Sequence, residues 1–422
     1  MKALVPLALL IAAPAMAQSS GPPPQVDAAM SLLDQGHYLT ARDKLAKLAF
    51  DPQGRVKDEY AYQMWQQESV MVTGELDLAT LDRAHSAPFI QRDWIARVQQ
   101  AVAHDAIAEI VKRAKDTRIV ILNEAHISPR DRMFALQVAR ALRPLGYGVL
   151  AAEAFYNDPA GKIMARLRHD GFVRRGTGFY TLDPVYARFV RAALAMGYAP
   201  AAYEQTEEQS AAAHPADRQA NIVAREQAQA ENLAALMARF PSQKVLIYVG
   251  HSHVAEAAID ETGEGNPKID WMAARLKRMT GIDPLTIDQA TVTDLDAGAR
   301  PAQVAAARLL GGRPGILFEQ GKPLVLGQYA GAVDLQVIHP ARRYRFGRPA
   351  WLAASGARPV PVPAAFRPRH GRCLVQAFPA GASADAVPLD QVMITAGERA
   401  PALLLPARPM RFFRQCVQLG GK

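Results

Sequence analysis

Between residues 118 and 290, short apolar runs alternate with longer stretches in which apolar residues recur every three or four positions. Arg118 to Leu122, Tyr147 to Ala152, Tyr198 to Tyr203, Lys244 to Gly250 and Pro284 to Asp288 read as strands. Arg130 to Leu142 carries Phe134, Val138 and Leu142 at helical spacing, and Pro144 and Gly146 stop it. Asp183 to Met196, Ala216 to Phe240 and Pro267 to Met279 are the other helices of this stretch. Strands alternating with helices predict an α/β fold, a mostly parallel sheet with helices on both faces. The connections are long enough for helical crossovers.

The flanks differ. Residues 27–115 are helical in pattern, with Ala28 to Leu48 forming two short helices broken at Gly36. That hairpin has no second clear copy, and a stacked repeat array needs about three units, so a helical extension is the better reading. After about residue 300, Gly, Pro and short β-rich runs take over at Gly315–Phe318, Pro323–Leu326, Val333–Ile338, Cys373–Ala377 and Val392–Thr395. These predict a β-rich C-terminal module over 301–422, whose first strands alternatively extend the main sheet. The insertion from Phe155 to Thr181 falls where it would roof the strand ends, and Gly171, Gly176 and Gly178 suit a lid.

The first residues bear on compartment. Met1-Lys2, an apolar run from Ala3 to Ala13 and the end Ala15-Met16-Ala17 predict a signal peptide over 1–17, cleaved before Gln18. A Pro/Gly/Ser-rich tether over 18–26 follows. The apolar run is shorter than the roughly 20 residues a membrane span needs, so no transmembrane segment is expected. The chain is therefore expected to be exported, periplasmic or secreted. Cys373 and Cys416 then have a compartment that permits a disulfide, although two buried thiols fit the sequence equally.

Half the residues are apolar and 21% are charged, an ordinary globular balance. The net charge of +9 is uneven, because residues 301–422 hold 16 basic and only 5 acidic residues. An anionic envelope polymer as partner and a merely solubilising surface both fit that excess. Arg342-Arg343-Tyr344-Arg345-Phe346 interleaves basic and aromatic residues as nucleic-acid surfaces do, but an exported protein has little reason to meet nucleic acid.

Ligands of open parallel sheets bind outside the carboxyl ends of the strands. Asn123, Glu124 and His126 follow the first strand, Glu153 the second, Glu204 the third, and His251, Ser252 and His253 the fourth. Imidazoles and carboxylates on one sheet edge suit acid–base work or metal ligation. Glu204 reads equally as a helix cap. Ser252 lacks the second glycine of a nucleophile elbow. The cysteines lie far off in the tail, and no phosphate-binding glycine motif follows the first strand, so no nucleotide cofactor is expected.

Glu-x-His after the first strand, Glu after the second, an Arg-bearing helix and Gly-x-x-His after the fourth resemble the superfamily that unites erythromycin esterases, haem-binding ChaN-like proteins and Tiki metalloproteases. The pieces are Ile121 to His126, Leu150 to Glu153, Ala224 to Leu233 and Tyr248 to His253, within about residues 116–290. By position, Glu124, His126, Glu153 and His253 match the family's active-site residues and Arg225 its helix arginine. His251 has no firm equivalent and reads as an accessory or cofactor-binding group. The family's glycine before the first Glu is Asn123 here.

The resemblance implies an exported hydrolase that activates water with a His/Glu site to cleave an ester or amide of a small-molecule or peptide substrate. In that reading Glu124 or Glu153 is the general base, and Arg225 stabilises the oxyanion or pairs with a carboxylate. His126, His253, Glu124 and Glu153 are the candidate ligands if a divalent metal takes part, and such a donor set suits zinc, manganese, cobalt or iron. The alternatives are a haem- or metal-binding protein without turnover, with His251 or Tyr180 as axial ligand, and a non-catalytic envelope-binding module.

Overall fold

The computed structural model describes residues 23–75, 92–211, 218–260, 268–291, 305–306 and 308–417. The expected signal peptide and the tether up to residue 22 lie outside the described residues, and the end of the expected tether, 24–26, is instead the first turn of a helix, with Pro24 at its start and Val26 buried.

The main sheet contains β1 (Val102–Asp105), β2 (Ile119–Glu124), β3 (Tyr147–Ala152), β4 (Ala199–Ala201), β5 (Lys244–Gly250), β6 (Leu285–Asp288), β7 (Gly315–Glu319), β8 (Lys322–Pro323) and β9 (Leu335–Ile338). Its order is β1-β7-β9-β6-β2-β5-β3-β4, with β8 beside β7. From β9 to β4 every pairing is parallel, whereas β7 runs antiparallel to β9, β1 and β8. Helices α1 (Pro24–Asp34), α2 (Tyr38–Ala49) and α3 (Glu59–Thr73) precede the sheet, and α4 (Arg92–Gln100) and α5 (Ala106–Arg113) flank β1. Between the later strands lie α6 (Pro129–Leu142), α7 (Lys162–Asp170), α8 (Pro184–Ala195), α9 (Glu207–Ser210), α10 (Arg218–Arg239) and α11 (Met272–Thr280).

Side chains alternate across a strand, so odd and even positions sort into two layers. Val120, Leu122, Leu150, Ala152, Leu246 and Tyr248 pack with α6 and α8 on one face. Ile119, Ile121, Val149, Ala151, Val245, Ile247 and Val249 pack with α10 and α11 on the other. Both faces are dry, which explains why these strands read as continuous apolar runs rather than alternating ones.

The structure moves several boundaries. The helix expected from Pro267 starts at Met272, because Ile269 pairs with Ile259 in an extended bridge; Pro267 itself lies outside the described residues. Only Pro323 of the run Pro323–Leu326 is in a strand, since the side chain of Gln336 takes both backbone groups of Leu326. β7 and β9 continue the main sheet beyond residue 300, and β1, inside the helical extension, pairs with β7. The sheet thus crosses both expected boundaries, near 116 and near 300.

The rest of the tail forms β10 (Tyr344–Arg345) with β11 (Arg348–Pro349), β12 (Arg358–Val360) with β15 (Leu403–Leu405), and a sheet of β14 (Asp390–Thr395), β13 (Arg372–Pro379) and β16 (Met410–Val417). Cys373 and Cys416 stand opposite each other on β13 and β16 and form a disulfide. Leu33, Tyr38 and Met71 of the first helices and Leu374, Val387 and Leu404 of the tail share one core with Phe134 and Val190. Among the described residues no helix is long and apolar enough to cross a membrane.

Candidate active site

Glu124 ends β2 on the even-numbered layer, where α6 brings a cation to it. Arg132 of α6 donates to it from Nε at 2.9 Å and from Nη2 at 3.2 Å, and Tyr248 Oη donates at 2.8 Å. The remaining Arg132 nitrogen reaches Asp183, the N-cap of α8, at 2.6 Å. Burial alone would lift the pKa of Glu124, but Arg132 and His126 outweigh it and hold the carboxyl below the usual range. His126 lies 3.1 Å from Glu124 Oε1 through Nδ1. An ionised carboxylate can only accept, so Nδ1 carries the hydrogen, and in the neutral ring the lone pair is then on Nε2. Among the described residues no group bonds Nε2.

Glu153 follows β3 on the odd-numbered layer and meets α10. Arg225 Nη2 donates to Glu153 Oε1 at 2.7 Å, and the same guanidinium is bound by Glu204. Gln229, one turn further along α10, donates to Glu204 at 2.9 Å. His253 Nε2 is 3.3 Å from Glu153, and Nδ1 is 2.9 Å from Glu226. Burial would lower the pKa of His253, but Glu226 and Glu153 raise it to about 10. Arg225 Nη1 is also 3.2 Å from Nε2. Three carboxylates against one guanidinium leave negative charge over, and that favours the imidazolium. Glu153, despite burial that would raise it, is held well below the carboxylate range by His253, Arg225 and His126.

The imidazolium links stability to pH. The folded pKa of about 10 exceeds the free value of 6.5, so the contribution is full below about pH 6.5 and fades as pH rises through about 10. Urea unfolding of the wild type and His253→Gln should therefore differ by about 1.5–3 kcal/mol at pH 6, as charged hydrogen bonds do. The difference should shrink by pH 10.5; a constant gap would show that His253 is neutral in the fold.

The two halves meet over Gly250, at the end of β5. Its N–H donates to Glu153 Oε2 at 2.5 Å. A methyl group on its Cα would lie 2.2 Å from His126 Cε1 and 2.5 Å from Nε2. Only a glycine lets the His126 ring lie there. Tyr180 covers the ring from above, stacked at 4.0 Å and 11°. His251 packs edge-on to it at 5.0 Å. The backbone of His251 has a φ of 38°, and its Nε2 is buried with no partner. Burial, with His126 beside it, pushes the His251 pKa down to about 3. Non-glycine residues in this conformation cost about 1–3 kcal/mol and cluster at functional sites.

All five residues expected to share a site are brought together in this way. Asn123, where the family pattern has glycine, turns to the opposite layer. Its Nδ2 donates to Asp288 at 2.9 Å and to the His251 carbonyl at 3.1 Å, and its Oδ1 accepts from Gln289 N at 2.7 Å. It ties β2 to β6 and to the strained loop. The expected roof is present but fastened. Arg175 donates to Asp34 O at 2.6 Å and Ala384 O at 3.1 Å, and Val387 N donates to Val173 O at 2.9 Å.

Sequence reasoning passed over Arg132, Asp183, Glu226 and Tyr248, offered Tyr180 only as a haem ligand, and left Glu204 open. Arg132 had a signal, because an arginine in the first turn of a helix opposes the macrodipole and needs another reason. Glu226 adjoins Arg225, and so points to another face of α10. Tyr248 reads only as core.

The donor set does not fit a divalent cation as it stands. Both His253 nitrogens face carboxylates, and the Arg225 guanidinium fills the ground between Glu153, Glu204 and His253. Glu124 has both oxygens bound by Arg132, Tyr248 and His126. With both cysteines joined, no thiol nucleophile is present.

No family model and no curated protein matches the chain. Solved structures with partial likeness include RRSP, a MARTX toxin effector domain from Vibrio vulnificus CMCP6, at 16% identity and TM-score 0.32 over 59% of this chain and 54% of that one. The C-terminal region of Pasteurella multocida toxin gives 13% identity and TM-score 0.33, covering 52% of this chain and 30% of that one. The type III effector HopBA1 gives 11% and 0.33 over 57% and 95%. The chain spans about half the length of the first of these.

Proposed function

We propose that the chain is a metal-independent hydrolase that activates water with His126 to cleave an ester or amide. The observation that carries this reading is the pairing of His126 Nδ1 with a buried, ionised Glu124, which leaves Nε2 without a hydrogen-bond partner among the described residues, beside the cationic pair Arg225 and His253. In this mechanism water loses a proton to His126 Nε2 as its oxygen attacks the substrate carbonyl. The imidazolium that forms is stabilised by Glu124. The oxyanion develops towards Arg225 and His253, whose charges are already set by Glu153, Glu204 and Glu226. As the tetrahedral intermediate collapses, His126 returns the proton to the leaving oxygen or nitrogen. Glu124 and Glu153 act as positioning groups here, not as bases, because both are spoken for by cations and held ionised. The reading keeps to the residues that carry the resemblance to the erythromycin esterase group, Glu124, His126, Glu153, Arg225 and His253.

The test is a panel of chromogenic esters and amides, assayed with and without a strong chelator. Turnover of at least one ester, unchanged by the chelator, is expected. Loss of turnover with chelator, restored by one metal, would replace this mechanism with a metal-dependent one.

A haem-binding reading has one observation in its favour, the unpartnered Nε2 of His251. Against it, Tyr180 and His251 themselves cover the His126 ring where a macrocycle would lie. Haem titration without a Soret shift would dispose of it.

A further inference from the structure

The β10–β11 hairpin presents an arrangement that the site does not use. Tyr344 and Arg345 pair with Pro349 and Arg348. The two turn residues between them, Phe346 and Gly347, have φ of 55° and 72°. A two-residue turn with both φ positive calls for Asn-Gly or Asp-Gly. Gly347 meets that demand. Phe346 does not, and the left-handed conformation costs such a residue roughly 1–2 kcal/mol. The ring recovers nothing by burial, for it is 62% exposed. Tyr344 is 53% exposed, and Arg343 and Arg345 are exposed beside them.

The base of the hairpin is firmly held. Arg348 donates to both oxygens of buried Asp390, at 2.9 and 3.0 Å. Tyr344 Oη donates to Glu75 at 2.6 Å, and Ala402 N to the Phe346 carbonyl at 2.9 Å. A strained, bare aromatic ring is thus held out from a fixed base between guanidinium groups. The surrounding segment, 301–422, carries 16 basic against 5 acidic residues.

We propose that this tip docks on an anionic phospholipid surface, with Phe346 entering the interfacial layer and Arg343 and Arg345 against the head groups. Aromatic rings favour that layer. A basic residue near an anionic leaflet contributes about 1 kcal/mol. Arginines alone would suffice for a soluble polyanion and would give no reason for an exposed phenyl ring at a position that disfavours it. One ring and two arginines are a weak anchor, so docking is reversible and salt-sensitive.

The experiment is co-sedimentation of the full chain with phosphatidylcholine vesicles, with and without phosphatidylglycerol, at low and high salt. Wild type should sediment only with phosphatidylglycerol vesicles, and less at high salt. Phe346→Gly relieves the strain, so it should fold at least as well, yet its bound fraction should fall severalfold. Arg343→Glu with Arg345→Glu should abolish binding at low salt. The proposal is overturned if wild type stays in the supernatant, or if Phe346→Gly binds like wild type. In the latter case competition by dextran sulfate would assign the patch to soluble polyanions instead.

Discussion

Replacing His126 with alanine is expected to lower kcat/KM by about 100- to 10,000-fold, the range for loss of a general base, on any ester the screen identifies. The fold should survive, because the two sheet layers pack without the ring, which lies at the strand ends over Gly250. The residues around it keep partners without it. Glu124 retains Arg132 and Tyr248, and Glu153 retains Arg225 and the Gly250 N–H. A pH–rate profile would separate the base from a positioning role. Removing the base should flatten the acid limb of the wild-type profile, whereas a positioning residue would scale the curve and leave its shape. Unaltered turnover in His126→Ala would remove the basis for the mechanism. His126→Gln keeps the volume and the hydrogen bond to Glu124 but has no basic nitrogen, and it should be as inactive as alanine.

The largest stability effect should come from Arg132→Met. Arg132 is fully buried, and its guanidinium makes four hydrogen bonds, to Glu124, Asp183 and the His126 carbonyl. Methionine matches the stem and leaves two carboxylates in a dry layer facing nothing positive. Breaking one partner out of a buried ion network costs about 3–5 kcal/mol. Urea denaturation should show a loss of that order. The carboxyls would then take up protons to escape the burial penalty, so the variant should lose less at pH 4 than at pH 8. Arg132→Lys keeps the charge but can serve only part of the fork, and should fall between. A loss below about 1 kcal/mol would mean that Glu124 is solvated and that the His126 tautomer is not locked as argued.

Much of the fold was readable because the central strands are buried on both faces and announce themselves as apolar runs bounded by turn residues. Lys244 to Gly250 and Tyr147 to Ala152 have the expected ends in the structure. What escaped was non-local. β1 is Val-Ala-His-Asp, a string with no local strand signal, and it becomes a strand because β7, more than two hundred residues away, needs a partner. Leu326 looked like a strand residue, but a buried glutamine side chain took its hydrogen bonds first. At the site, the strand-end residues were legible because position after a strand fixes which edge a side chain reaches. The helix residues were not, because a helix passing the site shows three faces and sequence does not say which is turned inward. Arg225 was found through a resemblance; its neighbour Glu226 turns to His253, and nothing in the local pattern marks it.

The crossing of the sheet over both expected boundaries has a consequence for how this molecule can be handled. The segment that carries every catalytic candidate, about 116–290, is not a separable piece. Cut there, β6 would become a raw edge stripped of β9, the sheet would lose β7 and β1, and the loop bearing Tyr180 would lose both of its moorings, α1 and the connection between β13 and β14. The candidate site residues come from the middle, but the sheet that holds them is closed by the ends. Shortened versions for crystallography or engineering should therefore not be cut at the borders of the motif, and sites for inserting tags belong on neither flank of the roof.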